Sequence, residues 1–486
     1  MNILALDIGT TSMRGILYED TGKTLCIKDC LTPLVKYDNF IEQKPETFTE
    51  GITGICKAIS ADYEVGAIAL TAFRSAPTLV DEQGNALTNF IMWQDTRTKE
   101  ICNGIAERNA EVYAVTGSKI NNVFTASKVT WWKLNRPELI EKAYKMMVVP
   151  DYLIHFMTGE FVTDYTYGSR TSLMDISTLE WSDAMCELYG VEKRLLCRLV
   201  GQGTVCGRVR REFSALTGIA EGIPVISAGG DQQCGALGLG ELSVDSLVIN
   251  CGTGAYITAL SDTPYLENVN TVCNVAAVPG KYVIESSLLT SAAALNWVIK
   301  EFFPEYWHDG AGDFKAFNEL AASVPPLSNG IYCVPHFQGC GPRDWNAASR
   351  ATFTGFSLNS SRADLSRAIY EGLTAEIVKS VRSLPESVQQ VGDIFIGGGL
   401  TKSELFNRIL CDMTGKRLHR YSDAQATAIG AFASAAAATG IYPTLKDALQ
   451  AVRKHSQTYT YTPDAENHEK YQEYIEKTEK IYKGIL

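Results

Sequence analysis

One pattern, read twice along the chain, constrains the fold more than anything else. Ile3 to Leu6 is a short apolar run, Gly9-Thr10-Thr11 follows as a turn, and Ile16 to Tyr18 resumes a strand. The same order returns in mid-chain: Leu247-Val248-Ile249-Asn250, then Cys251-Gly252-Thr253-Gly254, then Tyr256 to Leu260. Two strand–turn–strand units with glycine and threonine in the turn predict a duplicated α/β fold, one copy in each of two domains. The length agrees, because 486 residues exceed what one hydrophobic core usually supports. The expected domains are 1–243 and 244–486, divided shortly after Gly240-Glu241.

Further elements fill in the second half. Leu365, Ile369, Leu373 and Ile377 recur every four residues after Ser361, which predicts a helix with one apolar stripe. Ile394-Phe395-Ile396 reads as a strand ending in Gly397-Gly398-Gly399. Thr401 and Glu404 then read as a capping box for a helix that buries Leu405, Phe406, Ile409, Leu410 and Met413. The tail from Glu466 carries Tyr471, Tyr474, Ile475, Tyr482 and Ile485 at helical spacing, a stripe expected to dock on the domain.

Several functions are excluded on composition. A net charge of −11 argues against a nucleic-acid or anionic-membrane partner. The N-terminus has no basic region before its apolar run, and Asp7 interrupts that run, so neither a signal peptide nor an anchor is expected. The alanine-rich stretch Ala424 to Ala438 suits close helix packing better than lipid. A soluble, cytoplasmic chain is the expectation. The 13 cysteines show no Cys-x-x-Cys pair, and the six histidines no His-Glu-x-x-His, so no zinc motif is predicted and the thiols should be reduced and mostly buried.

Three glycine turns follow strands, at 9–11, 252–254 and 397–399. Glycine lets an anion approach main-chain amides with no Cβ in the way, and threonine hydroxyls add donors for phosphate oxygens. Other nucleotide-binding patterns are absent. Gly22-Lys23-Thr24 resembles the end of a P-loop, but Leu17 stands where the upstream glycine would fall, and no Gly-x-Gly-x-x-Gly opens a helix. Two carboxylates adjoin the turns. Asp7 precedes Gly9 and is suited to hold Mg²⁺; Asp231 follows Gly229-Gly230 at a strand's carboxyl end and is suited to accept a hydroxyl proton during phosphoryl transfer. Each would otherwise read as a turn or cap aspartate.

These segments resemble the FGGY carbohydrate kinases over nearly the whole chain. Asp7 to Arg14 is similar to that family's first phosphate motif, and Trp93-Gln94-Asp95-Thr96-Arg97-Thr98 to its Trp-x-Asp-x-Arg-Thr segment. Gly230-Asp231-Gln232-Gln233 resembles the base segment of glycerol kinases, Gly252-Thr253-Gly254 the second phosphate turn, and Gly397 to Ser403 the adenosine segment. The resemblance implies a two-domain, duplicated ribonuclease-H-like (actin-like) fold, with ATP, Mg²⁺ and a small sugar or polyol meeting in a cleft. It implies Asp231 as the base and Asp7 as the Mg²⁺ partner. Gly9, Thr10, Thr11, Arg14, Gly252, Thr253 and Gly254 would lie near phosphate, Gly398, Gly399 and Ser403 near adenosine, and Arg74, Trp93, Asp231 and Gln232 at the acceptor.

Where glycerol kinases carry a glutamate and a tyrosine against glycerol, this chain has Ser75 and Val123. Losing two polar anchors predicts weak glycerol recognition and room for a larger ligand, a four- to six-carbon ketose or polyol. Arg74 beside a serine also suits an acidic or polyhydroxylated ligand. Phe73 and Trp93 read either as core aromatics or as faces for a sugar. The rival readings are glycerol kinase itself and an actin-like or chaperone-like ATPase that phosphorylates no sugar. A homodimer is an admissible assembly.

Overall fold

The structure, a computed structural model, describes residues 1–37, 40–308, 310–423 and 425–485. It contains two α/β domains, each built on a central mixed sheet. The first sheet takes β1 (Ile3–Ile8), β2 (Ser12–Tyr18), β3 (Thr24–Leu31), β4 (Ala67–Ala72), β5 (Thr204–Arg208) and β6 (Pro224–Gly230), in the order β5-β6-β4-β1-β2-β3. From β3 inward the pairings run antiparallel, antiparallel, parallel, parallel, antiparallel. The second sheet takes β7 (Leu247–Cys251), β8 (Ala255–Ser261), β9 (Val272–Val275), β10 (Tyr282–Leu288), β11 (Asp393–Gly397), β12 (Arg417–Tyr421) and β13 (Thr458–Tyr461), ordered β9-β10-β8-β7-β11-β12-β13. From β10 its pairings repeat the same series, with β9 added at the edge. The duplication read from two hairpins therefore extends through the whole sheet.

Register places the chemistry. β1, β4 and β6 are parallel neighbours, and Ile8, Ala72 and Gly230 lie in one row across them. Their carboxyl ends deliver Asp7, Arg74 and Asp231 to a single sheet edge. β7 and β11 align Asn250 with Gly397 in the same manner, so the turns 252–254 and 397–399 leave one edge of the second sheet. Strands covered on both faces need near-continuous apolar runs, and β1 and β4 have them.

The helix Asp231–Leu239 (α1) starts at Asp231 and crosses the alanine-rich helix Ala426–Ala438 (α4) at backbone contact. A Cβ on Gly238 would stand 1.8 Å from the Ala426 carbonyl oxygen, and one on Gly430 2.0 Å from that of Cys234. The small residues thus serve close packing, as expected; Ala424 lies outside the described residues. α4 also covers the first sheet, where Ala428, Ile429 and Phe432 join Ile3, Ala5, Ile16 and Tyr18 in one core.

The apolar-stripe helix is Arg362–Arg382 (α2), capped by Ser361 with Asp364 as the reciprocal partner; Ile369, Leu373 and Ile377 are fully buried. The capping box read at Thr401 is corrected. The helix Glu404–Thr414 (α3) is capped by Ser403, whose hydroxyl accepts from the Phe406 amide, while Thr401 belongs to a preceding 3₁₀ turn. The pattern misled because a serine one residue before the glutamate competes for the same amides. The tail helix Ala465–Ile485 (α5) docks as expected, with Tyr471, Tyr474, Ile475 and Tyr482 buried; the Ile485 side chain lies outside what is described. All 13 cysteines are unbridged, and only Cys26 and Cys30 are partly exposed. Among the described residues no helix is long and apolar enough to cross a membrane.

Candidate active site

Asp7, next to last in β1, is mostly buried, and its neighbour across the hairpin is Arg14. Burial, then the negative charge of Asp231, push its carboxyl up to about 7 against the opposing pull of Arg14. No hydrogen bond enters that balance. A poorly solvated carboxylate beside a second one fits a site that a divalent cation would stabilise. After Asp7 the chain turns tightly, the Gly9 amide donating to the Ser12 carbonyl at 2.9 Å. Gln43 and Thr32 both donate to the Thr10 carbonyl, at 2.9 and 2.8 Å, which holds the turn, while Thr11 accepts from the Thr32 amide.

Asp231 is the first residue of α1, and about a quarter of its side chain is exposed. Burial raises its carboxyl above the usual range, the Arg74 charge and the Gln232 amide lower it, and Glu285 raises it again. Arg74 Nε stands 3.7 Å from Asp231 Oδ1, and Nη1 3.4 Å from Glu285 Oε2 and 3.3 Å from Gln233 Oε1. Burial works against the Arg74 charge, but Glu285 and Asp231 outweigh it and hold the guanidinium above its ordinary value. Arg74 is thus no surface arginine. A Cβ on Gly230 would crowd Gln233 Oε1 at 2.6 Å and Arg74 Cδ at 2.9 Å, so a side chain there would displace both.

Trp93 is 37% exposed and donates its indole N–H to Thr10 Oγ1 at 3.2 Å. It is a site-facing aromatic, whereas Phe73 is core. The charged members of the same segment build its loop: Arg97 forks onto both oxygens of Asp95 and reaches Glu42, and Asp95 accepts the Ile41 amide. Gln232 lies partly exposed on the first turn of α1, its amide donating to Asp231 Oδ1 at 2.8 Å.

In the second domain the two glycine turns abut. Gly398 has φ +89°, and a Cβ there would fall 2.3 Å from the Cys251 carbonyl oxygen, so glycine alone fits. The Ser291 amide donates to the Thr253 carbonyl at 2.7 Å, and Ala292 to that of Gly252 at 3.1 Å, fixing the 252–254 turn. Grooves flank the 397–399 turn on both sides. One, of about 160 Å³, includes Gly398, Gly399, Arg420, Tyr421 and Asp423; the other, of about 660 Å³, runs between Gly399, Ser403 and Arg408 on one wall and Phe314 and Asn318 on the other. Ser403 closes that wall by donating to Asn318 Oδ1 at 2.9 Å.

The domains meet through polar contacts around these edges. Arg14 donates to Gln425 at 2.9 Å, and Arg74 reaches Glu285 on β10. The structure therefore brings Asp7, Gly9, Thr10, Arg14, Arg74, Trp93, Asp231 and Gln232 to one edge, and Gly252–Gly254, Gly398, Gly399 and Ser403 to the other. It adds Glu285, Arg170 and Gln425, which sequence reasoning missed, and gives Gln233, read only as part of the base segment, a contact with Arg74. Glu285 had a signal, an acid within the apolar strand pattern of Tyr282 to Leu288, since a charge buried in a strand demands a partner. Arg170, buried and held down to about 10 first by burial and then by Arg74, had none.

The model of the N-terminal domain of the FGGY family of carbohydrate kinases matches residues 2–238, and that of the C-terminal domain residues 247–439. The chain is 30% identical over 445 residues to a glycerol kinase of Thermococcus onnurineus, covering 88% of this chain and 87% of that protein. It is 24% identical over 499 residues to a xylulose kinase of Lactococcus lactis, covering 99% and 96%. A solved xylulose kinase from Lactobacillus acidophilus superposes with a TM-score of 0.92 at 21% identity, over 100% of this chain and 98% of that one.

Proposed function

The chain belongs to the FGGY family of carbohydrate kinases and is an ATP-dependent phosphotransferase acting on a carbohydrate or polyol hydroxyl; we propose that its acceptor is a four- to six-carbon ketose or polyol and that Asp231 is the base. The observation that carries the second point is the convergence of Asp231, Arg74 and Asp7 at one sheet edge opposite the glycine turns. On this reading the duplicated sheets form the actin-like ribonuclease-H pair, divided near residue 243, with the acceptor on the first domain and ATP mainly on the second.

Asp231 accepts the acceptor's hydroxyl proton as that oxygen takes the γ-phosphoryl group, and ADP leaves. Arg74 keeps the Asp231 carboxylate ionised and oriented, and Trp93 offers a flat apolar face to the carbon skeleton. The Gly9–Thr11 and Gly252–Gly254 turns present amides and hydroxyls to the phosphates, with Arg14 alongside, and the nucleoside lies along Gly398, Gly399 and Ser403. Asp7 would hold Mg²⁺, which when bound offsets phosphate charge. Closing the domains over the edge excludes water as a competing acceptor.

The base assignment predicts opposite pH shifts in two variants. Activity requires ionised Asp231, so kcat should fall on the acid side around a value above the ordinary carboxylate range. Arg74→Met removes a charge that lowers the Asp231 carboxyl, so the acid limb should move to higher pH. Glu285→Gln removes one that raises it, so the limb should move to lower pH. Profiles of kcat against pH decide the matter: limbs that stay in place, or move together, would contradict the assignment.

A further inference from the structure

Away from the cleft, three ligating side chains of different kinds converge inside the second domain. His336, Cys340 and Glu376 are all buried, and one ligand atom from each lies within 4.8 Å of the others. His336 and Cys340 stand on the segment after the strand Tyr332–Val334, and Glu376 projects from α2. The three line a small pocket of about 20 Å³ with Ser287, Thr290 and Arg343, space for one water-sized occupant.

An ion-pair network accounts for part of this arrangement. Lys379 Nζ is 2.6 Å from Glu376 Oε1, which settles that oxygen. Glu376 Oε2 is different. It lies 3.2 Å from His336 Nε2 and 3.4 Å from Arg343 Nη2, and Arg343 already holds Asp344 at 3.0 Å and Glu479 at 2.7 Å. His336 Nε2, on a side chain only 5% exposed, makes no well-aligned hydrogen bond to that carboxylate, yet against burial, which works to lower it, Cys340 and Glu376 hold the imidazole up to about 9. Its other nitrogen is fixed by Ser349 Oγ at 2.6 Å. A ring oriented through Nδ1, with Nε2 aimed at a carboxylate oxygen and a thiol across a cavity, is the arrangement of a histidine ligand with its outer support in place.

We propose that His336 Nε2, Cys340 Sγ and Glu376 Oε2 form a binding site for a thiolate-preferring divalent cation of the zinc class. Ligation at the usual ~2.0–2.3 Å would require the three atoms, now within 4.8 Å of one another, to close in on the ion, and three ligands leave one tetrahedral position open. Binding displaces two protons to solvent, that of the Cys340 thiol and that of His336 Nε2, which Glu376 and Cys340 otherwise favour; the thiolate then faces Arg343, whose Nη2 is 3.8 Å from the sulfur. The donor set selects against Mg²⁺, which prefers oxygen ligands and keeps several waters. No zinc motif was visible in the sequence because the third ligand comes from a distant helix. The site lies behind the segment Ser287–Thr290, which leads to Ser291 and its hydrogen bond to Thr253, so a bound ion would brace the backing of that turn.

Cobalt(II) added to chelator-treated full-length protein tests the site, because only thiolate ligation gives an intense near-ultraviolet charge-transfer band. The expected result is a band saturating at one equivalent, displaced by Zn²⁺ but not by Mg²⁺, and lost in Cys340→Ser. Ser349→Ala, which removes no ligand, should keep the band and weaken affinity by about 10–100-fold. Far-ultraviolet circular dichroism of each variant separates loss of the site from loss of the fold. A wild-type protein without the band, a band unchanged in folded Cys340→Ser, or a Ser349→Ala affinity equal to wild type would overturn the proposal.

Discussion

Asparagine in place of Asp231 is expected to lower kcat by about 10²–10⁴, the usual worth of a positioned general base, or roughly 3–5 kcal/mol of barrier. The substitution is nearly isosteric, and the new amide oxygen can still accept from the Gln232 amide. What it cannot do is take the hydroxyl proton. Nucleotide affinity should hardly change, because the grooves beside Gly398 and Ser403 belong to the other domain. Initial rates over both substrates, with ATP binding measured separately, test this. An unchanged kcat would remove Asp231 from the mechanism, and a lost ATP affinity would mean that it holds the nucleotide instead.

Glycerol is expected to be a poor acceptor, with kcat/KM lower by about two orders of magnitude or more than the best four- to six-carbon ketose or polyol. By the resemblance, Ser75 takes the place of the glutamate of glycerol kinases; it is buried with φ +67°. Its hydroxyl donates to the Arg170 carbonyl at 3.2 Å, and its own carbonyl takes the Lys128 ammonium at 2.6 Å, so both polar groups are spent on the fold. The Val123 side chain offers no hydrogen bond, and its carbonyl already accepts from Lys128 at 3.0 Å. A three-carbon triol would then keep Arg74, Trp93, Asp231 and Gln232 but lose two anchors, whereas a longer chain has further hydroxyls to place. If glycerol proved the best acceptor in a panel of tetritols, pentitols, ketoses and aldoses, this reading of the pocket would be wrong.

Much of the architecture was legible because its signals are local. The hairpins at 3–18 and 247–260 each announce themselves by an apolar run, a glycine–threonine turn and a second run, and they stand at matching places in the two sheets. Asp7, Asp231 and the three turns followed from strand ends. The cap of α3 was misplaced by two residues, because Thr401 and Ser403 offer the same chemistry and only tertiary contacts, such as Ser403 with Asn318, choose between them. The partners of Glu285 and Gln425 were out of reach for another reason. Their roles depend on what faces them across the cleft, and no periodicity encodes a contact between Arg74 and a strand more than two hundred residues away. His336, Cys340 and Glu376 were invisible on the same account, since a site assembled from a loop and a distant helix has no sequence spacing to recognise.

The central claim is that the γ-phosphoryl group of ATP passes to an acceptor hydroxyl and not to water, and ADP release measured with and without candidate acceptors tests it most directly. ATP and Mg²⁺ alone should give little ADP. One compound of the panel should raise the rate steeply, yield one phosphorylated acceptor per ADP by mass spectrometry, and lose its effect in Asp231→Asn. A steady ADP release that needs no acceptor and survives that substitution would contradict the account and mark the chain as an ATPase.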